Sequence, residues 1–272
     1  MATIITVHGG LGGGWEWSEV AKELSALGHE VFRPTLTGMG ERHHLGPEVG
    51  LNTHIQDVVS VIEFEELNNV VLTGHSYSGI VVAGVADRIP DRIGLLVYID
   101  AEIPEDGQSI VDMVPGIADR VKESSDEHGH GWLDILEEIL PPEGEIDEEK
   151  RRRYISRQRP QPVATFTEPV RLTGKINEVR RAFVRCTGGS IDLGSGDSSN
   201  LTPRRPKERG GCIGRLIHHM IHSFFLRKRW HGCWTTSQPR SATEVSGYAD
   251  TSSAVKDHSC NWFMADRKLS SY

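Results

Sequence analysis

No apolar run in this chain approaches the roughly 18 residues that a membrane-spanning helix needs, so no transmembrane helix is expected. Basic charge is short as well: 30 Lys and Arg stand against 38 Asp and Glu, a net charge of −8. Nucleic acid is therefore not expected as the main partner, and the net charge gives no sign of a membrane surface. Cysteine is reduced to Cys186, Cys212, Cys233 and Cys260, all in the last third and none in a Cys-x-x-Cys pair. Free thiols are expected rather than a disulfide framework. The opening MATIITVHGG has no basic stretch ahead of its apolar residues and reads as a core strand, not a secretion signal. A cytoplasmic location is the resulting expectation.

What the chain does have is a regular alternation over its first hundred residues. With 272 residues, 37% of them apolar, it can bury a sizeable core, and one α/β domain with an insertion suits that length. Apolar, β-branched runs at 3–8, 30–33, 69–73 and 93–99 predict strands. Segments 15–27, 53–64 and 77–88 carry apolar residues at helical spacing, such as Ile55, Val58, Val59 and Ile62. Apolar strands separated by amphipathic helices predict a mostly parallel sheet with helices on both faces. A fifth strand is expected at 182–186 and a sixth at 212–217, giving a six-stranded sheet.

From Pro104 to about Gln161 the pattern breaks into short helical pieces interrupted by Pro115, Pro141 and Pro142, which predicts a helical cap. The organisation expected is a core at 1–103, the cap at 104–161, the rest of the core at 162–221 and an irregular tail at 222–272. That tail is rich in Arg, His, Cys, Trp and Ser with little periodicity, a composition that a reading-frame change near the 3′ end of the gene would produce.

One short stretch carries chemistry. Gly74-His75-Ser76-Tyr77-Ser78-Gly79 sits between a predicted strand and a predicted helix. Glycine or another small residue two positions either side of a serine permits a sharp strand-to-helix turn that lifts the hydroxyl to the sheet edge. The N–H of Tyr77 then lies at a helix N-terminus, where an anion is favoured. Ser76 is the candidate nucleophile. The glycine-rich loop His8-Gly9-Gly10-Leu11-Gly12-Gly13-Gly14 after the first strand offers a second amide, at Gly10, with Leu11 as the alternative. His8 and His75 read as structural, His8 bonding loop backbone. A dinucleotide site fits poorly, because Gly10-x-Gly12 is followed by Trp15 where a glycine is needed and the second strand ends in Arg33-Pro34 without an acidic residue. A zinc site built from His218, His219, His222, His231 and Cys233 lacks an HExxH pattern and flanking carboxylates.

The stretches TVHGGLGGGWEWSEVAKELSALGHEVFRPTLTGMGERHHL, VVLTGHSYSGIVVAGVADRIPDRI and LVYIDAEIPEDGQS resemble the α/β-hydrolase superfamily. Within it they are most similar to small bacterial esterases related to plant methyl esterases and hydroxynitrile lyases. The resemblance implies a Ser-His-Asp triad in chain order Ser, Asp, His, a helical cap, and no cofactor. Lyases of this group carry threonine after the first-strand histidine and lysine after the catalytic histidine. Gly9 and Met220 stand there in this chain, which favours ester hydrolysis.

A serine needs a histidine to take its proton, and the histidine needs a carboxylate to fix its tautomer. The loop after the fifth strand offers Asp192, with Asp197 and the strand-end Asp100 as alternatives. His219 is the candidate base, ahead of His218 and His222. Leu11, Trp132 and Leu133 are candidate pocket residues. The expected partner is a small-molecule ester, with carbamates or activated amides as variants. A lyase on the same site and a non-catalytic ligand-binding relative are the rival readings, and a homodimer is left open.

Overall fold

The computed structural model describes residues 1–114, 116–128, 131–134, 148–185 and 261–265. Its strands are β1 (Thr3–Val7), β2 (Glu30–Phe32), β3 (Val70–His75), β4 (Ile93–Ile99), β5 (Trp132–Leu133), β6 (Gln161–Pro162), β7 (Arg181–Arg185) and β8 (Asn261–Ala265). The helices are α1 (Ser18–Ala26), α2 (Leu51–Phe64), α3 (Ser78–Arg88), α4 (Ile110–Met113), α5 (Ile117–His128), α6 (Glu148–Ile155) and α7 (Ala164–Thr167). None of the described helices is long and apolar enough to cross a membrane.

The main sheet has the order β2-β1-β3-β4-β7-β8. Its first five strands run parallel, as the apolar runs require, and β8 lies antiparallel beside β7 from Arg181–Ala265 to Arg185–Asn261. This corrects the expected sheet: five strands are parallel, and the sixth place goes to Asn-Trp-Phe-Met-Ala at 261–265, inside the stretch read as irregular. The physical reason is local, since an apolar, aromatic pentapeptide suits a strand whatever surrounds it. The expected sixth strand at 212–217 lies outside the described residues.

Side chains alternate across the pleat, and the core divides accordingly. Ile5, Val7, Leu72, Leu96 and Tyr98 pack with α2 and α3 on one face, through Ile55, Val58, Ile62, Ile80 and Val81. Ile4, Val71, Val97 and Ile99 pack on the other face with Trp17, Val20 and Leu24 around α1. The sheet is thus covered on both sides, as expected of apolar parallel strands. The segment expected as a mostly helical cap contains α4, α5 and α6, and a two-stranded antiparallel ribbon pairs its β5 with β6 at its end.

The return of the chain to the sheet is fixed by a buried carboxylate on α3. Asp87 accepts the N–H of Thr173 at 2.6 Å, the Thr173 hydroxyl at 2.9 Å and the N–H of Ile176 at 3.0 Å. Burial raises its pKa, but the bonds from Thr173, Ile176 and Gly174 outweigh that and hold it below the ordinary value. Asp87→Ala strands these donors, and the expected loss of unfolding free energy is about 3 kcal/mol, read by urea denaturation. A loss below about 1 kcal/mol would show that the loop re-satisfies itself with water.

Candidate functional site

Ser76 sits in the turn between β3 and α3 with φ of 51°, the left-handed region that costs a non-glycine residue about 1–3 kcal/mol. The surrounding backbone holds it there. Its N–H donates to the Ile99 carbonyl at 3.2 Å, and its own carbonyl accepts from Gly79 at 3.0 Å and Glu102 at 3.4 Å. Gly79 is required by close approach, because a Cβ there would lie 2.0 Å from the Glu102 carbonyl oxygen. Ser76 itself stays partly open to solvent while both neighbours are buried.

Ser78 stands where the elbow pattern expects glycine, and it is more than a small filler. Its fully buried hydroxyl accepts the N–H of His75 at 2.7 Å and lies within donating distance of the carbonyls of Val7, 3.0 Å, and His75, 2.9 Å. The turn is thereby tied to the end of β1, from which the glycine loop departs.

That loop lies against the elbow. A Cβ on Gly10 would lie 3.7 Å from the Tyr77 Cβ, 3.6 Å from Phe166 Cζ and, more tightly, 3.3 Å from the Gln161 Oε1, so the loop backbone runs close to all three. The N–H groups of Gly10 and Tyr77 have no acceptor among the described residues. The N–H of Leu11, the alternative donor, is already given to Gln161 Oε1 at 2.9 Å. His8 is structural: its Nε2 accepts the N–H of Leu36 at 3.1 Å, which leaves Nδ1 to donate to the Gly9 carbonyl at 2.8 Å. Burial lowers the His8 pKa to about 4 and keeps the ring neutral. His75 is buried against Gly9, and burial lowers its pKa too, with the nearby Asp100 opposing.

Beneath the two amides is an aromatic and polar floor. The Tyr77 ring stacks on Phe166 at 5.1 Å and meets His54 edge-on at 5.9 Å. His54 Nε2 lies 2.8 Å from the Thr37 carbonyl, which can only accept, so the ring proton is on Nε2 and Nδ1 accepts the Tyr77 hydroxyl at 2.8 Å. Burial lowers the His54 pKa to about 4, consistent with this neutral tautomer, and pushes the Tyr77 phenol up. Thr37 is gripped in turn by Asp57, at 2.6 Å through its N–H and 2.8 Å through its hydroxyl.

The other candidates are placed less evenly. Leu11 and Leu133 are almost fully buried in the same apolar cluster as Tyr77 and Phe166. Trp132 is half-buried, its ring against Gly46. Asp100 ends β4 with φ of 40°, its N–H on the Val184 carbonyl at 2.9 Å. Asp192, Asp197, His218, His219, His222 and the four cysteines lie outside the described residues. Among the described residues no group of three or more His, Cys, Asp or Glu gathers as metal ligands.

Sequence reasoning passed over Glu16, Gln158, Gln161 and Thr165. Glu16 lies in the glycine loop's own continuation, its carboxyl over Gly12, and accepts Gln158 Nε2 at 3.2 Å. Burial raises its pKa from 4.5 to about 8, against hydrogen bonds from Gln158 and Gly9. The only sequence signal was a carboxylate between two tryptophans, Trp15-Glu16-Trp17.

Comparison with known proteins accords with this geometry. A profile of the Alpha/beta hydrolase family matches residues 4–210. A carbendazim hydrolyzing esterase from a Nocardioides species is 51% identical over 116 residues, 42% of this chain and 48% of that protein. Methylesterase 10 of Arabidopsis thaliana is 32% identical over 102 residues, 37% of each chain. The chain thus spans about half or less of the length of these relatives. Among solved structures, an extracellular alpha/beta-hydrolase from a Paenibacillus species superposes with a TM-score of 0.66 at 24% identity, covering 81% of this chain and 98% of its own. With the profile matching well over half of its length, the chain belongs to the alpha/beta hydrolase family.

Proposed function

We propose that the protein is a serine hydrolase that cleaves a small ester through an acyl-enzyme. The observation that carries this reading is the strained Ser76 turn beside two amides, of Gly10 and Tyr77, that have no acceptor among the described residues. In the proposed reaction the Ser76 hydroxyl oxygen attacks the ester carbonyl carbon and His219 takes its proton. Asp192 holds the imidazole in the required tautomer. The carbonyl oxygen, now negative, is held by the N–H groups of Gly10 and Tyr77, donors fixed before the charge appears. Collapse expels the alcohol with the proton from His219. Water, deprotonated by the same imidazole, then releases the acid and restores Ser76.

Carbamates and activated amides pass through the same steps, and the esterase names of the relatives support the ester reading. A cyanohydrin lyase is disfavoured by Gly9 and Met220, which stand where such lyases carry threonine and lysine.

The test is covalent. A fluorophosphonate probe should add one phosphonyl group per chain, displacing fluoride, and peptide mapping should place it on Ser76. Labelling on another residue, or none under conditions that label a control esterase, would refute the assignment.

A further inference from the structure

Resting on the hydrolase reading, we propose that Gln161 is a positioning residue for the amide of Gly10. Leu11 is a non-glycine residue at φ of 61°, and segment 159–161 holds both of its peptide groups. Its N–H donates to Gln161 Oε1 at 2.9 Å and its carbonyl accepts the N–H of Arg159 at 3.0 Å. The Gln161 amide has only one workable orientation. Oε1 must face the Leu11 donor, and Nε2 then donates to Thr165 Oγ1 at 2.8 Å, whose proton goes to the Pro162 carbonyl at 2.6 Å. Gln161 and Thr165 are both fully buried, beyond the reach of solvent, with the Tyr77 phenol as their neighbour.

The consequence falls on the preceding peptide. By consuming the Leu11 N–H, Gln161 leaves Gly10 as the loop's donor beside Tyr77, and it fixes the rotation of the peptide that joins the two residues. The glycine at 10 leaves the space in which Oε1 sits, since a Cβ would stand 3.3 Å from that oxygen. Without the acceptor, a buried N–H is left unpaired, a cost that the loop escapes by turning the peptide. The Cα of Gly10 is shared with the peptide that carries the Gly10 N–H, so the turn displaces that donor as well.

The experiment compares the parent with Gln161→Met, which keeps the length and loses the acceptor, and Gln161→Glu, which keeps an oxygen toward Leu11. Hydrolysis of a short p-nitrophenyl ester and the hydrogen exchange of the Leu11 amide by NMR are read together. In Gln161→Met, kcat should fall about 30-fold, short of the 10²–10³ for removing such a donor, with KM within about threefold. Leu11 exchange should quicken about tenfold or more as its bond is lost. Gln161→Glu, assayed near pH 6 where full burial keeps the acid protonated so that it accepts from Leu11 and donates to Thr165 as the amide does, should recover kcat to within about threefold of the parent. A Gln161→Met enzyme with parent kcat overturns the proposal, as do equal losses in both variants. Should Gln161→Met fail to fold, Thr165→Val loosens the same amide, and unchanged kcat and exchange there overturn it too. If the parent shows no hydrolysis dependent on Ser76, the hydrolase reading falls by itself, and Leu11 exchange alone decides whether Gln161 holds the loop.

Discussion

Ser76→Ala should reduce kcat for a short-chain p-nitrophenyl ester by about 10⁴-fold or more, while KM and melting temperature stay close to those of the parent. The chemical part follows from the proposed acyl-enzyme: alanine offers no oxygen to acylate, and residual rate comes only from the amides and from binding. The structural part follows from the turn. Ser76 is held at φ of 51° by bonds to its main chain, from Gly79 and Glu102 and to Ile99, and alanine keeps all of them. Ser76→Gly extends the argument. It is equally inactive, yet it accepts the left-handed conformation without a Cβ penalty and should be more stable by up to about 1 kcal/mol. An inactive but stabilised glycine variant would mean that the fold bears strain in order to present this hydroxyl. Hydrolysis by Ser76→Ala above about 1% of the parent rate would place the nucleophile elsewhere.

The parts of this arrangement that could be read in advance are those encoded by neighbours in the chain. Gly74-x-Ser76 between an apolar run and a helical run is local, and so is the glycine loop after β1. The strands of the sheet's parallel part were legible for the same reason, since β-branched runs such as Val70-Val71-Leu72 carry their own signal. Boundaries were less so: α2 begins at Leu51, straight after the extended Gly50, where apolar spacing alone starts the helix two residues later. What stayed hidden depends on chain segments far apart. Gln161 meets Leu11 across 150 positions, and no local pattern announces that pairing. Ser78 looked like a tolerated small residue because its bond to Val7 crosses from the start of α3 to the end of β1. The ribbon of β5 and β6 is two residues deep and brings together segments that periodicity treats separately. Local chemistry names the nucleophile's turn, and long-range polar contacts set the geometry around it.

The same loop carries a second, electrostatic consequence. The stability of the parent relative to Glu16→Gln should fall by about 2–3 kcal/mol between about pH 5 and pH 9. Glu16 has its pKa raised by burial from 4.5 to about 8. Between those values the folded protein keeps a proton that the unfolded chain has lost. The Glu16 contribution to stability is therefore full below about pH 4.5, declines through the window, and is lost above about pH 8. The shift sets a ceiling of roughly 5 kcal/mol at 1.36 kcal/mol per pKa unit, and the solvent contact the residue retains brings the expected value below it. The neutral acid also suits its partner. Gln158 Oε1 is buried without a hydrogen bond among the described residues, and a protonated carboxyl supplies the kind of donor it lacks. Glutamine at 16 keeps an acceptor for Gln158 Nε2 and Gly9 and carries a donor at every pH. Near pH 6 the variant should match the parent within about 1 kcal/mol, and near pH 9 it should exceed it by about 2 kcal/mol. Catalysis should follow the same window, because an ionised Glu16 over Gly12 opposes the negative charge that the Gly10 amide is proposed to hold. The parent rate should decline above about pH 8, and Glu16→Gln should hold its rate there. Parallel stability curves for parent and variant from pH 5 to pH 9 would show that Glu16 ionises freely in the folded protein and would remove this account of the loop.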